Sequence, residues 1–243
     1  MTLTLQEMSW VQAEKALGKT TFAIVPVGAV EVYGPHLPMG SDGLVALEAS
    51  RRLAQRTGAV VAPLVPIGCS QSLMGFPGTL SVEPESLKAY LRDVCNSLVF
   101  HGIKRILFMN GHAGNVTLIG ELCREFIARG IACAQVDWWR AIGRLAVGIA
   151  DTGDVAVGHA GENCTSVVMA VRPDLVDMSL ATKEQAKTGL AGKYPEVMQY
   201  GRSYREMTAS GMTGDATTAT GEKGEAMIKR FVDKAEAFLK EWN

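Results

Sequence analysis

The sequence predicts an α/β protein with a three-layer α/β/α fold, in which helices cover both faces of a mostly parallel central sheet. Apolar, β-branched runs alternate along the chain with longer segments whose apolar residues recur at helical spacing. Parallel strands need long crossover connections, and the helical segments provide them. At 243 residues and 47% hydrophobic residues, the chain is long enough for one domain over residues 1–243.

The first half of the chain contains two strand and helix pairs. Residues 21–28, TFAIVPVG, form an apolar run that ends in a turn, as a buried strand does. Residues 42–58 have apolar side chains at helical spacing, and a glycine follows the last turn. AVVAPLVPIG at 59–68 predicts a second strand. Residues 81–102 predict a helix with an acidic first turn and a closing glycine.

The second half continues the alternation. IKRILFMNG at 103–111 predicts a third strand, and 115–130 predict a helix. IACAQVDWW at 131–139 predicts a fourth strand. Residues 161–173 predict a short helix that a proline stops, and 220–242 predict a long amphipathic helix.

One region gives little structural signal. Residues 174–215 are polar, with scattered glycine and tyrosine. They could hold loops, a flap or an oligomer contact, and no domain boundary is predicted there.

Composition excludes several classes of function. The net charge is −1, so no basic field indicates binding to nucleic acid or to a membrane surface. The five cysteines are odd in number and form no CxxC pair, which favours a reducing, cytoplasmic setting over a disulfide framework. Glu14 and Lys15 interrupt the N-terminal segment where a secretory signal would be continuously apolar. No stretch approaches the ~20 apolar residues that span a bilayer.

Metal-capable side chains follow two of the predicted strands. VPVGAVEVYGPHLPMGSDG at 25–43 carries Glu31, His36 and Asp42, and NGHAGN at 110–115 carries His112. The carboxyl ends of parallel strands share one rim of the sheet, where ligands gather. We therefore expect Glu31, Asp42 and His112 to converge there.

Two carboxylates and an imidazole suit Zn²⁺, Mn²⁺ or Fe²⁺, with positions left for water and substrate. Each residue also has an ordinary structural explanation. Asp42 could cap the helix that follows it, and His112 could be satisfied by backbone groups. His36 could contact the metal or brace its own turn, so it ranks as a second-tier candidate.

A third cluster is GHAGENCTS at 158–166. Glu162 lies in the first turn of a predicted helix, where the helix dipole stabilises a carboxylate. It could equally be a metal ligand or general base, with His159 as an acid, base or substrate contact. Trp138 and Trp139 follow the fourth strand and could wall a flat substrate or simply pack, and Trp139 is the second-tier candidate of the two. Three further residues are expected to be structural: His101, Cys164 and Asp215.

The order of these motifs resembles the creatininase family. PVGAVEVYGPHLPMGSD, GFPGTLS, NGHAGN, HAGENCTS and GMTGDATTATGEKG run from residue 26 to 224. The resemblance implies an α/β/α metal-dependent hydrolase, often hexameric, that acts on cyclic amides and related C–N bonds. It also implies a small cyclic substrate and a homo-oligomer, a hexamer by resemblance.

Residue by residue, the resemblance implies metal ligation by Glu31, Asp42 and His112. Creatininase itself holds a second metal with a His and a Glu at the positions of Tyr33 and Gly114. Neither residue is an equivalent ligand, so one firm metal is expected, with Glu162 as a compensating ligand and a doubtful second site. Tyr33 could instead donate a hydrogen bond to a developing oxyanion. Cys164 is a further departure, because many relatives have glutamate there.

The resulting hypothesis is hydrolysis by metal-activated water, with Glu162, His159 and Tyr33 as catalytic residues. In this scheme Glu162 removes a proton from water and His159 protonates the leaving group. The alternative reaction is C–C hydrolysis of a cyclic ketone such as a keto-cyclitol. A non-catalytic binding protein is the third interpretation.

Overall fold

The structure, a computed structural model, describes residues 4–189, 193, 194, 196 and 203–242. The strands of its central sheet are β1 (Phe22–Val27), β2 (Val60–Val61), β3 (Arg105–Asn110) and β4 (Ala132–Asp137). Within the described residues these four strands pair in parallel, in the order β2–β1–β3–β4. The last pairs of the register, Val27 with Asn110 and Asn110 with Asp137, bring three strand ends to one rim.

The second strand is much shorter than 59–68. Only Val60 and Val61 form a ladder with β1, and Val65 adds a single bridge to Val27. Proline at 63 and 66 lacks the backbone N–H that a ladder requires, so the rest of this run cannot pair regularly.

The helices of the described chain flank the sheet. They are α1 (Trp10–Leu17), α2 (Ser41–Thr57), α3 (Pro84–Phe100), α4 (Val116–Ile127), α5 (Trp138–Leu145), α6 (Glu162–Val171), α7 (Tyr204–Met207) and α8 (Gly221–Glu241). The five helices expected from the sequence are all present, with ends that differ by a few residues.

Two apolar cores lie on opposite faces of the sheet. Ile24 and Leu107 pack with side chains of α2, α5, α6 and α8 on one face. Val25 and Phe108, the next residue in each strand, pack with α3 and α4 on the other. Successive strand residues that point to opposite faces and are all buried are what a sheet covered on both sides produces. The predicted three-layer α/β/α fold is confirmed.

Two of the described helices outside residues 174–215 were not predicted from the sequence. The fourth strand ends at Asp137, and Trp138 and Trp139 open α5 instead of extending the strand. The other, α1, begins with a capping box in which Ser9 and Gln12 satisfy each other's backbone N–H groups.

The region 174–215 contains short elements where it is described. Strands β5 (Lys183–Glu184) and β6 (Gly214–Asp215) pair antiparallel, and α7 precedes β6. Residues 190–192, 195 and 197–202 of this region lie outside the described residues. Among the described helices, none combines the length and the apolar character needed to cross a membrane.

Candidate metal centre

Glycine permits the loops after β1 and β3 to approach α2. A Cβ atom on Gly28 would lie 2.5 Å from Cα of Gly43, and one on Gly111 would lie 2.5 Å from the carbonyl oxygen of Asp42. Real Cβ atoms do not make such contacts, so no other residue fits at these two positions without a backbone shift. The consequence is that the first turn of α2, with Asp42, lies directly beside the loop that carries His112.

Three of the four predicted metal ligands converge at this rim. One ligand atom each from Glu31, Asp42 and His112 lies within 4.8 Å of the others. Nδ1 of His112 is 2.8 Å from Oε2 of Glu31 and 3.3 Å from Oδ2 of Asp42. All three residues are at most 4% exposed.

Hydrogen bonds from neighbouring groups orient this cluster. Nε2 of His112 lies 2.9 Å from the carbonyl oxygen of Cys69, and because a carbonyl only accepts, Nε2 carries the proton. Nδ1 is then the atom that faces the carboxylates. The Ser70 hydroxyl donates to Oε2 of Glu31 at 2.8 Å, and the Asn110 side chain bonds both backbone groups of His112. Such outer contacts fix the orientation of metal ligands in many proteins.

The charges of the cluster favour a cation. Burial, together with the nearby Glu31 carboxylate, raises the pKa of Asp42 to about 7. Burial opposes a charged His112, but the hydrogen bonds that its ring donates to Asp42 and Glu31 outweigh burial and raise the pKa of His112 to about 10. Positive charge between the two carboxylates is therefore strongly stabilised. Oδ2 of Asp42 lacks a hydrogen bond of good geometry among the described residues. Two carboxylates and a neutral imidazole fit a borderline divalent metal.

Tyr33 and His159 lie beside the cluster. Their rings are 4.4 Å apart between centroids, and Nε2 of His159 is 4.0 Å from Oε1 of Glu31. Burial, with the nearby Cys164 and Asp42, raises the pKa of Tyr33 well above its ordinary value. Burial also lowers the pKa of His159. Tyr33 is thus a phenol that can donate, and His159 is held toward its neutral form, with Nε2 donating to the Val32 carbonyl at 2.6 Å.

Glu162 is set apart from the other predicted ligands. Its carboxylate is fully buried and accepts hydrogen bonds from the backbone N–H groups of Asp151 and Thr152, both at 2.9 Å. Nζ of Lys223 lies 2.7 Å from Oε1 of Glu162. Burial raises the pKa of Glu162, but these hydrogen bonds outweigh it and lower the pKa to about 2. The geometry does not support Glu162 as a metal ligand or as the base and gives it a structural role, in which it fixes the 151–152 loop to α8.

Of the remaining candidates, His36 and Trp138 hold the surrounding structure in place, and Trp139 lines a cavity. His36 is buried, its Nε2 lies 2.9 Å from the Thr165 hydroxyl, and burial lowers its pKa to about 4, so it braces the loop. Trp138 is fully buried, and its indole N–H donates to the Asp42 carbonyl at 3.3 Å. Trp139 lines the cavity described next.

A cavity of about 440 Å³ opens beside the cluster. We call it the site cavity; its lining includes Glu31, His159, Asn163, Trp139, Leu73 and Val157. Volumes of this order hold small molecules. Sequence reasoning missed Ser70, Asn110 and Asn163, which have no ligand signature, although Asn110 lies in the quoted NGHAGN motif and Asn163 in GHAGENCTS.

Fold and site together define a class: an α/β/α protein that places a buried cluster of two carboxylates and an imidazole, a donor set capable of holding a divalent metal, at the carboxyl rim of its sheet. A sequence model of the creatininase family, described as creatinine amidohydrolase, matches residues 6–239. The chain belongs to the creatininase family.

Two relatives illustrate its place in the family. The mycofactocin precursor peptide peptidase of Mycolicibacterium smegmatis is 32% identical over 227 residues, which cover 90% of this chain and 84% of the relative. The creatinine amidohydrolase of Pseudomonas putida is 30% identical over 240 residues, covering 92% and 90%. These relatives are hydrolases by name.

Solved structures agree with the fold. A manganese form of creatininase superposes with a TM-score of 0.80 at 28% identity, covering 100% of this chain and 99% of that one. A mutant creatininase of the Zn-Zn type gives a TM-score of 0.81 at 27% identity, with the same coverage.

Proposed function

We propose that this protein is a metal-dependent amidohydrolase that cleaves a C–N bond in a small cyclic amide. The observation that carries the proposal is the buried cluster of Glu31, Asp42 and His112 at the wall of the site cavity. The names of the relatives describe cleavage of creatinine and of a peptide, and both contain amide-type C–N bonds. They favour C–N over C–C hydrolysis.

Glu31, Asp42 and His112 would hold the metal. When bound, a divalent ion of this kind lowers the pKa of its water and polarises a carbonyl. Tyr33 keeps its proton because burial raises its pKa, so its hydroxyl can donate to the oxygen that gains negative charge. His159, neutral and with its Nε2 proton held by the Val32 carbonyl, offers Nδ1 to take a proton from water and return it to the leaving nitrogen. His159 lines the site cavity, so it suits the role of general base that the sequence analysis gave to Glu162.

The chain supports one metal ion per subunit. A Cβ on Gly114 would lie 2.0 Å from the Cys69 carbonyl oxygen and 2.7 Å from Nε2 of His112, so no liganding side chain fits there. Tyr33 stays a phenol, which is a poor ligand at neutral pH. Among the described residues, Glu31, Asp42 and His112 form the one such cluster of three or more. The hexamer and the cytoplasmic location remain predictions.

Activity of Asp42→Asn tests the function. The variant keeps the size of the side chain and removes the charge, so hydrolysis of creatinine, hydantoin or dihydrouracil by zinc- or manganese-loaded protein should fall to background. His101→Asn, an exposed histidine at the end of α3, is the matched control and should leave activity unchanged. Turnover of cyclohexane-1,3-dione, with no lactam cleaved, would replace C–N with C–C hydrolysis. Equal activity in Asp42→Asn and wild type would refute the proposal.

A further inference from the structure

The Asn163 side chain is an unexplained polar group. It is 3% exposed, and neither its Oδ1 nor its Nδ2 has a hydrogen-bond partner within the part of the chain that the structure describes. A buried amide left without partners destabilises the fold, because it has given up its hydrogen bonds to water without replacing them. Folded proteins rarely retain such a group without a functional reason.

The position of Asn163 indicates that this reason is ligand binding. Asn163 lies in the first turn of α6, one residue after Glu162, and lines the site cavity. Outside the metal cluster, two other lining residues carry buried polar atoms without a well-formed hydrogen bond: Trp139 at Nε1 and Tyr204 at its hydroxyl. Unsatisfied donors and acceptors therefore converge on one cavity, as they do where a polar ligand completes the hydrogen bonding.

The chemistry of a carboxamide limits what that ligand can be. Asn163 presents one acceptor and one donor group on adjacent atoms of a single planar edge. Its complement is a group with an N–H and a C=O on the same edge. A ring amide is cis and has that edge, whereas a trans peptide bond directs its N–H and C=O to opposite sides. A ketone or lactone offers only acceptors.

We propose that Asn163 is a specificity residue that binds the cis-amide edge of a lactam, imide or cyclic ureide. The inference rests on the proposed function, because it takes the site cavity as the substrate site. Leu73 and Val157 supply apolar contacts for the rest of a small ring, and Trp139 supplies an aromatic face. The residue thus selects cyclic amides over linear peptides and cyclic ketones.

Binding of matched ring pairs tests the proposal without requiring turnover. The probes are hydantoin and 1,3-dimethylhydantoin, titrated calorimetrically into zinc-loaded protein. Wild type should bind hydantoin about tenfold or more tightly than the dimethyl compound, which cannot donate to Oδ1. Asn163→Leu should reduce that preference to within about twofold. Equal binding of both rings by wild type, an unchanged preference in Asn163→Leu, or binding of neither ring would overturn the proposal.

Stability separates recognition from a structural role. Asn163→Leu removes unsatisfied polar atoms, so its Tm should equal or exceed that of wild type. A clear fall in Tm together with loss of zinc would show that Asn163 supports the fold and would overturn the proposal. Thr79→Val is the control, because its orphaned buried hydroxyl lies outside the lining of the cavity. Hydantoin bound with the predicted preference but never hydrolysed would refute the amidohydrolase function and leave the recognition intact.

Discussion

Removing the Lys223 ammonium tests the structural role of Glu162. In Lys223→Met the fully buried carboxylate of Glu162 loses the charge that lies 2.7 Å away and keeps only the hydrogen bonds of Asp151 and Thr152. Breaking a buried ion pair by removing one partner costs about 3–5 kcal/mol. In a chain of 243 residues this corresponds to a fall in Tm of about 6–20 °C.

A second lysine on the same helix provides the control. Nζ of Lys229 lies 2.9 Å from Asp233, but the two side chains are 68% and 43% exposed. An exposed pair contributes about 0–1 kcal/mol, so Lys229→Met should change the free energy of unfolding by less than about 1 kcal/mol. Denaturant titration followed by circular dichroism measures both variants.

The same ion pair makes stability depend on pH. The pKa of Glu162 is lowered to about 2 in the folded protein from an ordinary 4.5. A depressed folded-state pKa stabilises the protein above the unfolded pKa, so this contribution is present above about pH 5 and is lost as the pH falls toward 2. In Lys223→Met the acid-dependent loss should be smaller, because part of the stabilisation is already absent.

Metal content decides between the two roles of Glu162. Lys223→Met, assayed under conditions where it remains folded, should bind zinc as wild type does, because the cluster of Glu31, Asp42 and His112 is separate from the ion pair. A loss of stability no greater than that of Lys229→Met would refute the reasoning about burial. Zinc lost from folded Lys223→Met would refute the separation of the two sites.

Two further substitutions test the site. Gly114→Ala should abolish zinc binding measured by calorimetry, because its Cβ would clash with the Cys69 carbonyl and Nε2 of His112, whereas Gly120→Ala, with no atom nearer than 3.9 Å, should bind normally. Normal binding by Gly114→Ala would contradict the close packing. Tyr33→Phe should lower kcat by about 10²–10³-fold with zinc retained, because an oxyanion donor is lost. Tyr90→Phe, an exposed tyrosine, should leave kcat unchanged, and an equal kcat in Tyr33→Phe would remove Tyr33 from the mechanism.

The sheet could be predicted where local pattern and tertiary pairing agree. The apolar runs at 21–28 and 103–111 became β1 and β3 because both are buried on two faces. The run at 59–68 has the same composition, but its prolines limit pairing, which an apolar count does not register. Trp138 and Trp139 have strand propensity, yet packing of the Trp138 ring into the core begins a helix there.

Some residues of the site could likewise be predicted from the sequence, and others could not. Glu31, Asp42 and His112 were predictable because each follows or faces the carboxyl end of a parallel strand, and topology brings those ends together. The structural role of Glu162 was not predictable, because its partner Lys223 is 61 residues away in sequence. The direction in which the Glu162 side chain points from the first turn of α6 depends on how α6 packs against α8, which carries Lys223. Asn163 has no charge, so only its missing partners in the folded chain distinguish it.

The central claim is that Glu31, Asp42 and His112 hold a single divalent ion. Anomalous diffraction from a crystal of the manganese-loaded protein, recorded near the manganese absorption edge, measures this most directly. We predict one peak per chain, within bonding distance of those three side chains. Two peaks per chain, or a peak at the carboxylate of Glu162 instead, would contradict the account.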